Sequence, residues 1–201
     1  MYEPAWKPEA SHSQLLPQVA TYCDKIKKNA TYLIQASIVD VTNCYNATLY
    51  EDEESCKAFM QLSNKVTLQA ATKMANSKIG KIILLPRPPR ADSLSELSNY
   101  TNIDLRVQYL KLSPAVRNKL ILVNHTIKVP KDEDAIVNIF GNGDRVHFRG
   151  PVGNQLYSQS VLKAIQQADV RLKTNLLPTQ QEPRYQVIVQ NRFNQLLDLN
   201  E

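Results

Sequence analysis

Glycine is scarce in this chain, with five in 201 residues and the first at position 80. Nucleotide-binding loops use glycines to bring backbone amides against phosphates, and neither G-x-G-x-x-G nor G-x-x-x-x-G-K-S/T occurs. Cysteine is scarcer still. Cys23, Cys44 and Cys56 are an odd number without C-x-x-C spacing, which reads as reduced thiols in a cytoplasmic or nuclear protein. Three scattered histidines add no zinc-ligand spacing, so neither a metal nor another cofactor is expected. No apolar run approaches the roughly 20 residues of a membrane helix, and MYEPAWKPEASHS does not read as a signal peptide, so no membrane contact is expected. Four sequons, at Asn29, Asn46, Asn99 and Asn124, run against the reduced-thiol reading; with no visible leader they are taken as chance.

What is present is the composition of a soluble globular protein, 43% hydrophobic and 21% charged. Its length suits one well-buried domain with extra segments. The net charge of +5 permits weak contact with nucleic acid without requiring it.

Along the chain, residues 1–10 read as an irregular arm with Pro4 and Pro8. A helix is expected from Ser11 or Ser13 to about Lys28, its stripe running through Leu15, Leu16, Val19, Cys23 and Ile26. Thr31–Val41, TYLIQASIVDV, reads as a buried strand, and Glu51–Ser77 as a helix with acids in its first turn. GKIILLP is a second strand pattern, Ser93–Leu112 a helix capped by Ser93, and Lys119–Val123 a third strand. Strands alternating with helices predict an α/β domain with a parallel sheet over residues 11–169. The stretch 170–201, with Pro178 and Pro183, reads as linker and tail.

Ligands of such domains collect at the carboxyl ends of the strands. Asn43, Arg87, Arg90, His125, Asp144 and His147 all fall after a strand pattern or on a loop, and are expected to share one rim. Arg87-Pro88-Pro89-Arg90 is stiff, and its two guanidiniums suit a carboxylate or phosphate, or else a solvated turn of ion pairs. Asp144 and His147, three apart, suit a carboxylate that orients a general-base imidazole. The competing reading makes Asp144 a turn cap and His147 a surface residue. A turn broken by Gly150, Pro151 and Gly153 is expected next, then an amphipathic helix carrying Leu156, Val161, Leu162 and Ile165.

The stretch DRVHFRGPVGNQLYSQSVLKAI (residues 144–165) resembles the last sequence block of the SGNH, or GDSL-type, hydrolases. In its wording, with His147-Phe-Arg-Gly-Pro and then Tyr157, it is similar to the esterase-like domains of animal retroelement-related proteins. Tyr32–Asn43, Leu84–Asp92 and Leu120–His125 resemble earlier blocks of that family in the right order. The tail containing Asn191-Arg192-Phe193 is similar to tails of retroelement-derived proteins.

The resemblance implies a three-layer sandwich of the SGNH-hydrolase or flavodoxin-like kind, with Asp144 and His147 as two members of a Ser-His-Asp triad. Its implied substrate is a small ester. The family's Gly-Asp-Ser block is missing, since the one Gly-Asp, Gly143-Asp144, precedes Arg145. The oxyanion asparagine of its third block aligns with Val39, and Asn43 is displaced. The expectation is therefore a domain truncated at its N-terminal side, with little or no turnover and an exposed sheet edge prone to self-association. A non-catalytic nucleic-acid-binding or assembly module is the alternative.

Overall fold

A computed structural model of the chain describes residues 31–37, 40–42, 53–77 and 81–174. The expected arm at 1–10, the helix ending near Lys28, Asn43 and the stretch 175–201 lie outside the described residues. Strands β1 (Thr31–Gln35), β2 (Lys81–Leu85) and β3 (Leu120–Leu122) form a parallel sheet in the order β1-β2-β3. Thr31 lies opposite Lys81, and Ile82 opposite Leu120. Parallel strands require crossovers. Helix α1 (Glu53–Asn76) lies between β1 and β2 in the chain, and α2 (Ser95–Leu110) with the short α3 (Pro114–Arg117) between β2 and β3. Helices α4 (Glu133–Phe140) and α5 (Gly150–Thr174) follow β3. The α/β class expected from the alternation is the class observed.

The run Ile82-Ile-Leu-Leu85 is apolar at every position because both of its faces are covered. Ile82 and Leu84 pack with Leu68, Ala71 and Met74 of α1 and Leu105 of α2. Ile83 and Leu85 pack with Ala164 and Ala168 of α5. Successive strand side chains point to opposite faces, so a central strand between two helical layers needs no polar alternation.

Four local expectations are corrected. Strand pairing ends at Gln35 rather than Val41, and residues 40–42 are helical, with Asp40 fully buried. The N-cap of α2 is Leu94, with no side-chain cap; Asp92 Oδ1 accepts the Leu94 amide at 3.3 Å, and Ser93 caps nothing. The α1 stripe expected through Leu62 is rotated. Leu62 is half exposed, whereas Met60, Ser63, Asn64, Thr67, Ala71 and Met74 face inward. Finally, Cys56 is disulfide-bonded, its partner lying outside the described residues, so the chain does not hold three reduced thiols. Cys56 sits at 7% exposure in a small apolar cluster with Val41, Met60 and Leu94.

The turn expected through Gly153 is in fact the start of α5. Pro151 is tolerated there because first-turn amides have no intrahelical acceptor. Gly153 is required for space, since a Cβ on it would lie 2.1 Å from the Ile139 carbonyl oxygen at the end of α4. Helix α4 itself went unforeseen, although its signals are conventional. Asp132 Oδ1 accepts the Ala135 amide at 2.9 Å, and Ile136, Ile139 and Phe140 turn inward.

Candidate functional site

Helix α4 ends at Gly141 (φ 84°), and Gly143 (φ 76°) follows in the same left-handed region, which glycine enters without steric cost. These two residues turn the chain into a six-residue loop centred on Asp144. Its Oδ1 accepts the amides of Val146 (2.9 Å) and His147 (3.0 Å). Its Oδ2 accepts His147 Nδ1 (3.0 Å), Arg149 Nε (3.0 Å) and Arg149 Nη2 (2.8 Å). One carboxylate thus both shapes the loop and holds the imidazole. Partial burial alone would raise the Asp144 pKa. The two amides, the His147 ring and the Arg149 guanidinium outweigh it and hold the carboxyl well below the usual range.

The loop is fastened at both ends. The Ala91 amide donates to the Arg145 carbonyl (2.8 Å), joining it to the segment that leaves β2, and the Arg149 amide donates to the Ile139 carbonyl (2.9 Å). The side chain of His147 remains 53% exposed against 22% for Asp144, so the imidazole faces solvent on an anchored carboxylate.

Beside it runs a ladder of rings. Phe140 lies 4.9 Å from Phe148, Phe148 stacks on Tyr157 at 5.5 Å, and Tyr157 lies 5.9 Å from His125. The Tyr157 hydroxyl donates to Gln35 Oε1, the last residue of β1. His125 is therefore on the rim, but it is turned inward. Its Nδ1 is 3.1 Å from Ser160 Oγ, which also accepts the Thr126 amide at 3.0 Å. Its Nε2 is buried without a partner of hydrogen-bond geometry. Burial pushes its pKa down to about 4, with the Pro86 carbonyl acting the other way. Ser160 is 1% exposed, which makes the Ser160–His125 bond a structural one rather than a nucleophile and base open to substrate.

The arginines of the proline-rich segment are not a solvated turn. Arg87 is 1% exposed. Its Nε donates to the Ser37 carbonyl (2.7 Å), Nη1 to Asn64 Oδ1 (2.7 Å) and Nη2 to Ser63 Oγ (2.9 Å). Ser63 in turn donates to Asp40 Oδ2 at 2.6 Å, and Asn64 to Asp104 Oδ2 at 2.7 Å. Asn102 clamps the Arg87 backbone with two 2.9 Å bonds. Burial lowers the Arg87 pKa to about 10, opposed by the charges of Asp40 and Asp104. Arg90 is 3% exposed and paired with Asp92, leaving Nη1 buried without a partner. In this arrangement both guanidiniums serve internal partners, and neither is presented to an external anion.

The rim predicted from the sequence thus has three parts: the Asp144–His147–Arg149 cluster, the inward His125, and the buried arginines of the β2 exit. Asn43 lies outside the described residues. Sequence reading missed Arg149 as the second cation on Asp144, although its place five residues on allowed it. It also missed Asp40, Ser63, Asn64 and Asp104, which no local pattern marks as partners of Arg87. An open groove of about 910 Å³ runs between α1 and α2, lined in part by Leu62, Lys65, Lys73, Asp104 and Lys111, and includes none of the candidate residues. Among the described residues, no three His, Cys, Asp or Glu are grouped to hold a metal ion, and no helix is long and apolar enough to cross a membrane.

Compared with family models, with curated proteins and with solved structures, the chain finds no match. Its chemistry therefore has to be argued from the cluster itself. That cluster is an imidazole whose Nδ1 is tied to a carboxylate, which leaves Nε2 as the nitrogen to exchange a proton with a reacting group.

Proposed function

We propose that the chain is an SGNH-hydrolase-like domain of three-layer α/β architecture, in which Asp144 orients His147 as the general base of an ester hydrolase. The observation that carries the reading is the 3.0 Å bond from His147 Nδ1 to an Asp144 oxygen whose partner oxygen caps the same loop. Such a unit takes the proton of a serine hydroxyl as the oxygen attacks an ester carbonyl, then returns it to the leaving alcohol. Asp144, kept anionic by its donors, stabilises the imidazolium formed in between. The substrate class is a small ester.

No Gly-Asp-Ser block occurs in residues 1–201, and triad members act as a unit. The chain by itself is accordingly expected to show negligible turnover. The test is hydrolysis of short-chain p-nitrophenyl esters by this chain and by any longer natural product that contains it. Turnover is expected only where a Gly-Asp-Ser block is present, and His147→Ala is expected to abolish it. Turnover indifferent to His147→Ala would remove the reading. The nucleic-acid alternative draws less support, because Arg87, Arg90, Arg145 and Arg149, which motivated it, all have acidic or polar partners within the fold.

A further inference from the structure

Sixteen asparagines and ten threonines in 201 residues would give about one Asn-x-Thr triplet if arranged at random, yet the chain has four. Every sequon ends in threonine and none has proline at its centre: Asn29-Ala-Thr31, Asn46-Ala-Thr48, Asn99-Tyr-Thr101 and Asn124-His-Thr126. Four of the ten threonines therefore stand two residues after an asparagine. Chance, the reading from sequence alone, is a poor account of that excess.

The structure adds two observations. Cys56 is disulfide-bonded, a state that cytosolic thiol buffers oppose and that secretory compartments sustain. The two sequons within the described residues also present their asparagines outward. At Asn124-His-Thr126 the chain leaves β3, and the alternation is sharp. His125 turns in against Ser160 and Tyr157, while Asn124 and Thr126, the two residues a glycosyl transfer requires, are both exposed. At Asn99-Tyr-Thr101, on α2, Asn99 is exposed, while Thr101 is fully buried and its hydroxyl donates to the Ser98 carbonyl at 2.8 Å. A glycan at Asn99 fits the finished fold, but its attachment must precede the folding of α2.

We propose that this chain matures in an oxidising, glycosylating compartment and carries N-linked glycans on Asn99 and Asn124. In each transfer the asparagine carboxamide nitrogen forms a bond to C1 of a lipid-diphosphate-linked oligosaccharide. The C1–oxygen bond breaks, the nitrogen loses one proton, and the lipid diphosphate leaves with the bonding pair. The Cys56 disulfide forms as two thiols give up two electrons and two protons to a protein disulfide, which becomes a dithiol. Nothing in this inference depends on the ester-hydrolase reading.

The test uses the full chain isolated from cells that make it. Amidase removal of N-glycans in heavy-oxygen water converts each glycosylated asparagine to a heavy-labelled aspartate, which peptide mass spectrometry reads, with an enzyme-free control for deamidation. Labelled aspartate is expected at both 99 and 124, and Asn99→Gln and Asn124→Gln should each remove one glycan's mass from the intact protein. Unmodified asparagine at either position overturns the assignment there, and at both overturns the proposal. Alkylation of Cys56 without prior reduction overturns the compartment.

Discussion

Two polar clusters occupy the carboxyl end of the sheet, and they are built in opposite ways. Around Arg87 a buried cation is held by groups 15 to 50 residues away, from the end of β1, from α1 and from α2. Around Asp144 every bond is to a residue two, three or five positions on, and the imidazole it holds is half exposed. The first cluster fixes the elements relative to each other and offers no reactive group to solvent. The second fixes only itself and leaves a basic nitrogen accessible. A buried network rigidifies because any unmade bond is costly there, whereas an exposed one is free to do chemistry.

Breaking the first cluster should have the largest effect. Arg87→Ala leaves Asp40, Asn64 and Ser63 buried with lost partners and should cost about 3–5 kcal/mol in chemical denaturation, if the protein folds at all. A loss below about 1 kcal/mol would mean that water replaces the guanidinium. Gly153→Ala probes the seam between α4 and α5 that supports the Asp144 loop. Its Cβ has nowhere to go beside the Ile139 carbonyl, so a loss of about 1–3 kcal/mol is expected.

His125 sharpens the contrast between the inward and outward imidazoles. Its folded-state pKa, about 4, lies below the ordinary value near 6.5, so the unfolded chain binds the extra proton first. Stability should then be intact above about pH 6.5 and fall as the pH drops towards 4, by on the order of 1–3 kcal/mol. In His125→Gln that slope should be missing from pH-dependent melting. The smallest effect belongs to Asp144→Asn, where solvent screens the partners, with about 1 kcal/mol lost at pH 7. Because the Asp144 pKa is depressed on folding, this difference should persist above about pH 4 and shrink below it as the carboxyl protonates. In the same variant the His147 ring resonances should lose their coupling to the loop by NMR.

The same contrast explains what was legible beforehand. The strand patterns at Lys81–Leu85 and Leu120–Leu122, the long α1 and the Asp144–His147 pair are all short-range signals, and all were found near their expected places. Where a long-range partner intervened, the reading slipped. Ser63, Asn64 and Thr67 put polar atoms on the buried face of α1 to serve Arg87 and Thr101, so the apolar stripe was drawn one face away through Leu62. Arg87 and Arg90 looked like surface cations because nothing adjacent marks a buried arginine; their partners come from other elements. Gly153 looked like a helix breaker, and only the Ile139 carbonyl beside it shows why a helix needs glycine there.

By itself the sequence determined the alternation of strands and helices and the carboxylate–imidazole spacing. Hydrophobic periodicity and i,i+3 reach are properties of a few consecutive residues. Tertiary structure decided which charges are buried, which of the two rim histidines faces solvent, and which face of α1 turns inward. Each of those depends on distant groups meeting in a low-dielectric interior, where desolvation, not local preference, sets the outcome.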